Sequence, residues 1–352
     1  MKSKKVEIIF SSSDIGGAER SLGKIIINNT NSLVNYSAAT FGKKGELTNW
    51  LLNNGIFCQS MDFKYLNLFL YLLRKKPDTV YVIGFRMSVF IRFLKFFFQN
   101  TTIIQGVRWN PSTSSLLDIS FRYIEKLFGF LIDGYITNSH ASKLTLQKVT
   151  KRKIAVIYNG IELEYKKPPK YSAREKTIIT IANINKRKGL MEYLDCIESI
   201  LSEDKNLNFI FLGNDNMNGQ FQRKIRDRRL QHNVRYLGFK DDVREYIKNS
   251  RLFVLPSLYG EGCPTTILES FSLSTPVVAF NIDGIPELIS SNIDGFICDL
   301  KNYEDLKEKI ILLFYEKDLA KRMGEKGFFK VKENFSLDGM IKKHNKFFLG
   351  IQ

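Results

Sequence analysis

Histidine and cysteine are scarce in this chain of 352 residues, with three of the first and four of the second. Cys58, Cys196, Cys263 and Cys298 are far apart and form no CxxC or Cys/His cluster. That excludes a disulfide framework and a zinc site, and it suits a reducing cytosol. His140, His232 and His344 match no catalytic-triad or metal-ligand spacing and read as structural or exposed. No run of about 18 apolar residues occurs, so nothing is expected to span a membrane. The opening MKSKKVEIIF holds only a short strand-like apolar segment, too little for a signal peptide. Internal repeats and low-complexity segments are missing as well.

What is present points to two compact domains. The length exceeds one ordinary domain, and 44% hydrophobic content suffices for two cores. The net charge of +17 is unevenly placed. Residues 1–170 carry 25 Lys/Arg against 11 Asp/Glu, and residues 171–352 carry 28 against 25. A basic first half and a near-neutral second half imply different partners, and anionic membrane and nucleic acid both fit the sign.

Short β-rich runs alternate with helical stretches through the first half. KKVEIIF, TVYVIG (79–84), TTIIQG (101–106), LIDGYITNS (131–139) and KIAVIYNG (153–160) read as strands, and GGAERSLGKIIINN as a Gly-rich turn opening a helix. Strands separated by helices imply parallel βαβ units. The polar, Pro-containing stretch 161–176 is the expected linker. Alternation then restarts, with strands in TIITIAN (177–183), LNFIFLGN (207–214), NVRYLGF (233–239), RLFVLPS (251–257) and TPVVAF (275–280). Helical stretches at 188–203 and 217–230 lie between them. The expectation is an α/β chain of two Rossmann-like domains, 1–160 and 177–335, with a helix at about 336–352 returning to the first. Their parallel sheets would face a central cleft, with ligands at the strand carboxyl ends.

One stretch of the second half suggests chemistry. In EGCPTTILES, Glu261 and Glu269 bracket a Gly-Cys-Pro turn and two threonines. Thr265 or Thr266 can cap the helix that follows, whose free N–H groups favour an anion such as a phosphate. Glu269, one turn in, can then accept from a ribose diol, with Glu261 on the loop addressing a second polar group. Read alone, the pair is equally a solvated loop charge and a helix-dipole partner. The Gly16–Gly17 pair after a strand is weak alone, being also a plain tight turn.

In the first half, FRMSVFIRFLKFFFQN (85–100) spaces Ser88, Arg92, Lys95 and Gln99 as one polar face of a helix. It reads either as a core-packing helix with a solvated basic edge or as an interfacial helix. In the second case its phenylalanines would enter the headgroup region of an anionic membrane.

E-x7-E after a strand and before a helix resembles the signature of the family 4 retaining glycosyltransferases, which have the GT-B fold. GGAER (16–20), VIYNGI (156–161), IANINKRKGL (181–190), NVRYLGF, DGIPELI (283–289) and NIDGFICD (292–299) are similar to further stretches of that family, in the same order. The resemblance implies a nucleotide-sugar donor as substrate, with no cofactor and no metal, and the cleft motifs contain no DxD-like signature. It places Glu269 on the donor ribose, and Glu261 with main-chain groups of Gly262, Cys263 and Pro264 at the donor sugar. Lys188 would neutralise the leaving diphosphate, close to Thr265, Thr266 and the Gly16–Gly17 loop. Arg235 and Gly238 fall in the segment that holds the base.

Two positions depart from the family. Its diphosphate arginine falls on Asn183 here, and Arg187 or Arg20 can take its place. Its histidine near the sugar falls on Arg108, which with Trp109 and Asn110 can bind a different substituent or cap a helix. Gly213 is followed by Asn214 where the family tends to have a second glycine.

The implied protein transfers a hexosyl or N-acetylhexosaminyl unit, UDP being the expected nucleotide, to a glycan or lipid-linked glycan in surface polysaccharide (capsule or lipopolysaccharide) biosynthesis. It would be cytoplasmic and peripheral on the inner membrane face, held through the basic first domain, with no nucleic acid partner. The alternatives are a nucleotide-sugar 2-epimerase of the same fold, against which the few histidines count, and a non-catalytic nucleic-acid or membrane-binding protein.

Overall fold

A computed structural model describes residues 3–113, 115–171 and 174–350. The chain forms two compact units, Met1–Gly160 with Leu337–Gln352, and Ile161–Ser336.

Unit 1 holds strands β1 (Lys4–Phe10), β2 (Val34–Thr40), β3 (Cys58–Ser60), β4 (Thr79–Ile83), β5 (Thr102–Val107), β6 (Gly134–Thr137) and β7 (Lys153–Val156). All pair in parallel, in the order β3-β2-β1-β4-β5-β6-β7. Strand β1 shows how the residues dictate this arrangement. Val6, Ile8 and Phe10 enter one buried cluster and Ile9 the other, because successive side chains leave a strand on opposite faces. A strand apolar on both faces is stable only with helices on both sides.

The first cluster is closed by α1 (Gly17–Ile27), α2 (Glu46–Asn53) and, from the far end of the chain, a helix at Leu337–Leu349. The second cluster is closed by α3 (Tyr65–Lys75), α4 (Phe85–Phe93), α5 (Leu116–Phe128) and α6 (His140–Gln147).

Unit 2 repeats the scheme with β8 (Thr177–Ile181), β9 (Asn208–Leu212), β10 (Val234–Tyr236), β11 (Leu252–Leu255), β12 (Val277–Phe280) and β13 (Gly295–Cys298). Its parallel order is β10-β9-β8-β11-β12-β13. Helices α7 (Leu190–Glu203), α8 (Gln220–Asp227), α9 (Arg244–Asn249), α10 (Thr265–Ser272), α11 (Ile285–Leu288), α12 (Tyr303–Tyr315) and α13 (Lys317–Asn334) complete it. The returning helix Leu337–Leu349 is α14. In both sheets the direction of strand addition reverses beside the first strand, at β1/β4 and at β8/β11. A crevice for ligands opens at the carboxyl ends of such a strand pair.

Three expectations change. Residues 161–176 are not a loose linker but part of unit 2. Tyr171 donates to the Arg251 carbonyl at 2.7 Å, and the Arg174 guanidinium donates to the carbonyls of Ser250 and Leu273. Ser172 and Ala173 of this stretch lie outside the described residues. Second, β2, β3 and β13 were not expected as strands.

Third, the helix at 85–100 ends at Phe93 and its polar face points inward. Ser88 and Arg92 are fully buried, while Phe93, Phe96 and Phe97 are exposed. The reason is a carboxylate 33 residues further on. Arg92 pairs with Glu125 of α5 at 2.7 Å and donates to Gln105, and a buried charge is tolerated only when so satisfied. Among the described residues no helix is long and apolar enough to cross a membrane.

Candidate active site

The densest cluster of expected residues in unit 2 sits at the β8/β11 switch point. After β8 the chain runs into a single 3₁₀ turn, Lys186–Lys188, and then Gly189. Gly189 is left-handed, with φ +65°, and a Cβ there would collide with the Pro256 carbonyl, so only glycine fits. This turn hands the chain to α7 and aims Lys188 at the loop following β11. On that loop Gly260 is also left-handed, and the Glu261 side chain is turned into the protein.

There the Lys188 ammonium donates to the Glu261 carboxylate in a closely buried ion pair. Ser257 donates to the same oxygen, Oε1, at 2.6 Å. Asp283 holds the loop by accepting from the N–H groups of Gly260 and Glu261 at 2.6 and 3.0 Å. Arg187 donates to the Gly260 carbonyl at 2.9 Å, and Leu258 N–H to the Arg187 carbonyl at 2.8 Å.

Burial alone would push the Glu261 carboxyl up. The charges of Lys188 and Arg187 and the hydrogen bonds from Lys188 and Ser257 outweigh it, so the carboxyl lies below its usual range. Burial pulls the Lys188 ammonium down against the attraction of Glu261. The pair is therefore charged, desolvated and fixed in place, as a preorganised electrostatic device should be.

Helix α10 starts differently from expectation. Its N-cap is Pro264, not Thr265 or Thr266, and no side chain caps it. Proline has no hydroxyl, and both threonines already stand inside the first turn. The main-chain N–H end of α10 is thus left without a side-chain acceptor, which suits an anion. Glu269 lies one turn further along α10. Cys263 is buried, and Gly262 and Pro264 follow Glu261 directly.

Asn183 lies on the loop after β8, where its side-chain oxygen accepts from Asn214 N–H at 3.0 Å. It joins the β8 and β9 loops and carries no charge for a diphosphate. Arg187 is the cation beside Lys188, whereas Arg20 belongs to unit 1. Gly238 follows β10, its carbonyl accepting from Gly213 N–H at 3.0 Å. Arg235 lies within β10, exposed, two strands from β8.

In unit 1 the Gly16–Gly17 turn opens α1, with Gly16 as the N-cap. Glu19, not foreseen, reaches back over this start. Burial raises its carboxyl, while the N–H groups of Glu19 and Gly16 and the charge of Arg108 work against the rise. This is the glutamate half of a capping box, since Gly16 has no side chain to return the bond, and G-x-x-E was the available signal.

Arg108 follows β5 and donates to Asn159 at 3.3 Å, and Ser21 donates to the same oxygen at 3.0 Å. Among the described residues its Nε and Nη2 are buried without hydrogen-bond partners, as is His344 Nε2. Asn110, two residues on, is buried, and Arg20 on α1 is half-buried. Burial and then the nearby Arg108 charge push the His344 imidazole down to about 3, so it is neutral.

Residues 162–328, which hold the Lys188–Glu261 pair, match the family model of glycosyl transferases group 1. The matched segment covers most of unit 2. The chain is 27% identical over 296 residues to the capsular polysaccharide biosynthesis glycosyltransferase CapH of Staphylococcus aureus, covering 79% of this chain and 81% of CapH. It is 29% identical over 221 residues to the N,N'-diacetylbacillosaminyl-diphospho-undecaprenol alpha-1,3-N-acetylgalactosaminyltransferase of Campylobacter jejuni, covering 58% and 55%. For several other curated relatives the chain spans about half of their length, for example 43% and 57%. Anabaena HepE, solved with UDP and glucose, superposes with a TM-score of 0.84 at 17% identity over 99% of this chain and 100% of HepE. The fold is GT-B.

Proposed function

We propose that the chain is a retaining glycosyltransferase acting in bacterial surface polysaccharide biosynthesis. It moves a hexosyl or N-acetylhexosaminyl group from a UDP donor to a glycan or lipid-linked glycan acceptor. The observation that carries the reading is the buried Lys188–Glu261 pair at the β8/β11 switch point, inside the segment that matches group 1 glycosyl transferases. No observation favours the epimerase.

In this reading α10's N-terminal end and Lys188 receive the diphosphate, Glu269 the ribose, and the 235–238 stretch the base. Glu261 and the main chain of 262–264 face the sugar. As the bond from the anomeric carbon to the diphosphate breaks, negative charge grows on the leaving oxygen, and Lys188 stabilises it. The ionised Glu261 stabilises the positive charge that develops at the sugar ring. A diphosphate oxygen takes the proton of the acceptor hydroxyl while the new glycosidic bond forms on the same face, which retains the anomeric configuration.

Unit 1 carries 25 Lys/Arg against 10 Asp/Glu, and unit 2 carries 28 against 26. That asymmetry supports peripheral contact of unit 1 with the anionic inner face of the cell membrane, where a lipid-linked acceptor would be presented. The C. jejuni relative, named for a diphospho-undecaprenol-linked sugar, supports this acceptor class.

The test is a thermal-shift series with UDP-, GDP-, ADP- and TDP-sugars, since a ligand of the native state alone raises its melting temperature. UDP-sugars are expected to give the largest rise and to release UDP on turnover. No rise with any nucleotide overturns the reading. Glu261→Ala should lose turnover and keep most of the nucleotide-induced shift; full turnover in that variant removes Glu261 from the site.

A further inference from the structure

Two neighbouring helices on the second layer of unit 1 turn charged side chains into the core beside apolar ones and leave large apolar side chains in solvent. On α5, Leu116, Ile119, Tyr123 and Leu127 fall within about 80° of one another at ~100° per residue. They are 84%, 45%, 63% and 45% exposed, while the inward positions include Asp118 and Glu125. On α4 Ser88 and Arg92 are buried beside Met87 and Ile91, while Phe93 and, just past its end, Phe96 and Phe97 face solvent. The surface is continuous. The Phe93 ring lies 5.3 Å from Phe128 of α5, and Phe97 lies 5.4 Å from Phe69 of α3, which adds exposed Leu66 and Leu70. A monomer seldom shows so large an apolar face without a partner for it.

At the end of this face, where α5 and α6 finish, opens a cavity of about 580 Å³. Lys126, Lys148, Lys151 and Arg152 line it around the exposed Phe130. The one carboxylate lining it, Glu125, is already held by Arg92 and Tyr135. Among the described residues none of the three lysines has an ion-pair partner. Cations favour helix C-termini through the macrodipole, which accounts for Lys126 and Lys148. It accounts neither for Lys151 and Arg152 before β7 nor for the apolar stripe beside them.

We propose that this face docks on an anionic phospholipid bilayer. The α5 stripe and Phe130 enter the boundary between headgroups and acyl chains, and the cavity receives a headgroup phosphate. The inference deepens the peripheral contact proposed above and rests on it. A second copy of the chain would also cover the leucines. A two-fold dimer through this face would bring the four cations of both copies into one interface, where among the described residues the only lining carboxylate, Glu125, is already paired, so charge complementarity favours the lipid.

The experiment is co-sedimentation of the full chain with phosphatidylcholine vesicles, with and without phosphatidylglycerol. The wild type should bind only the anionic vesicles and be released by high salt. Lys148→Glu/Lys151→Glu and, separately, Leu116→Ser/Leu127→Ser should each weaken binding by at least about tenfold. Lys205→Glu/Lys240→Glu, exposed lysines of unit 2 with the same change in charge, should bind as the wild type does. Unchanged melting temperatures show that the variants fold.

If the wild type binds and the α5 and cavity variants bind equally well, this location is wrong while peripheral contact stands. If the wild type binds neither vesicle, both fall, and the UDP-induced thermal shift still reports separately on the transferase. Self-association lost in Leu116→Ser/Leu127→Ser, without vesicle binding, would reassign the face to a dimer.

Discussion

Around β1/β4 and around β8/β11 the chain builds the same crossing of parallel strands, and it handles charge at the two places by opposite means. In unit 2, Lys188 and Glu261 neutralise each other, and Ser257 and Asp283 fix the loop around them. In unit 1, Glu19 is held by main-chain N–H groups, and two buried nitrogens of Arg108 find no acceptor among the described residues. Among the described residues the fully buried ion pair of unit 1 lies elsewhere, between α4 and α5, where Arg92 and Glu125 have no solvent contact. A shared topology thus fixes where a ligand meets the sheet, and the loops decide what is offered to it. Unit 2 offers a closed electrostatic pair, and unit 1 a cation with unused hydrogen-bonding capacity.

Lys188→Ala should break the comparison most severely. It leaves Glu261 buried without its cation and removes the charge proposed to face the leaving group. UDP release should fall about 10²–10³-fold, and stability by about 3–5 kcal/mol. Steady-state turnover and chemical denaturation read the two losses separately.

Arg92→Ala tests the other buried pair and should lower stability by a similar about 3–5 kcal/mol. Its effect on turnover should be far smaller, because the pair lies outside the switch point. Arg92→Met/Glu125→Leu should recover most of the loss, which a calorimetric melt would show.

Gly189→Ala sharpens the contrast between the loops. A left-handed backbone and the Pro256 carbonyl both oppose the new methyl, and the expected loss is about 1–3 kcal/mol. Part of it should appear as reduced turnover, since the same turn aims Lys188.

At neutral pH the smallest effect is that of His344, whose folded value is about 3 against an ordinary 6.5 and which matters only in acid. The unfolded chain binds the proton more readily, so stability is lost as pH falls from about 6.5 towards 3. The slope approaches about 1.4 kcal/mol per pH unit. His344→Gln should flatten that part of the profile in denaturation curves taken at several pH values.

Much of the fold was legible because buried parallel strands are apolar on both faces. TVYVI and TIITI need no context to be recognised, whereas VNYSAAT (β2), with its polar positions, and the three-residue β3 gave too little contrast. The inward polar face of α4 was illegible for a different reason. Arg92 at helical spacing looks like a solvated residue until Glu125, 33 positions on, is known to meet it. Lys188 and Glu261 stood out as single residues, but their contact did not. Nothing in the order of the chain says that Lys188 and Glu261, 73 positions apart, touch each other. The cap of α10 was misread because threonine hydroxyls outweighed the simpler fact that proline closes the preceding turn.

The return of α14 to unit 1 has a consequence for how the protein is made. Leu337, Met340, Ile341 and Phe348 belong to the same cluster as Val6, Ile8 and Phe10. On the ribosome every residue of unit 2 emerges before those four, so unit 2 can close while the earlier-made sheet still shows an uncovered apolar face. During that interval nascent unit 1 is a client for a chaperone, and truncation before residue 337 should leave it aggregating beside an intact unit 2.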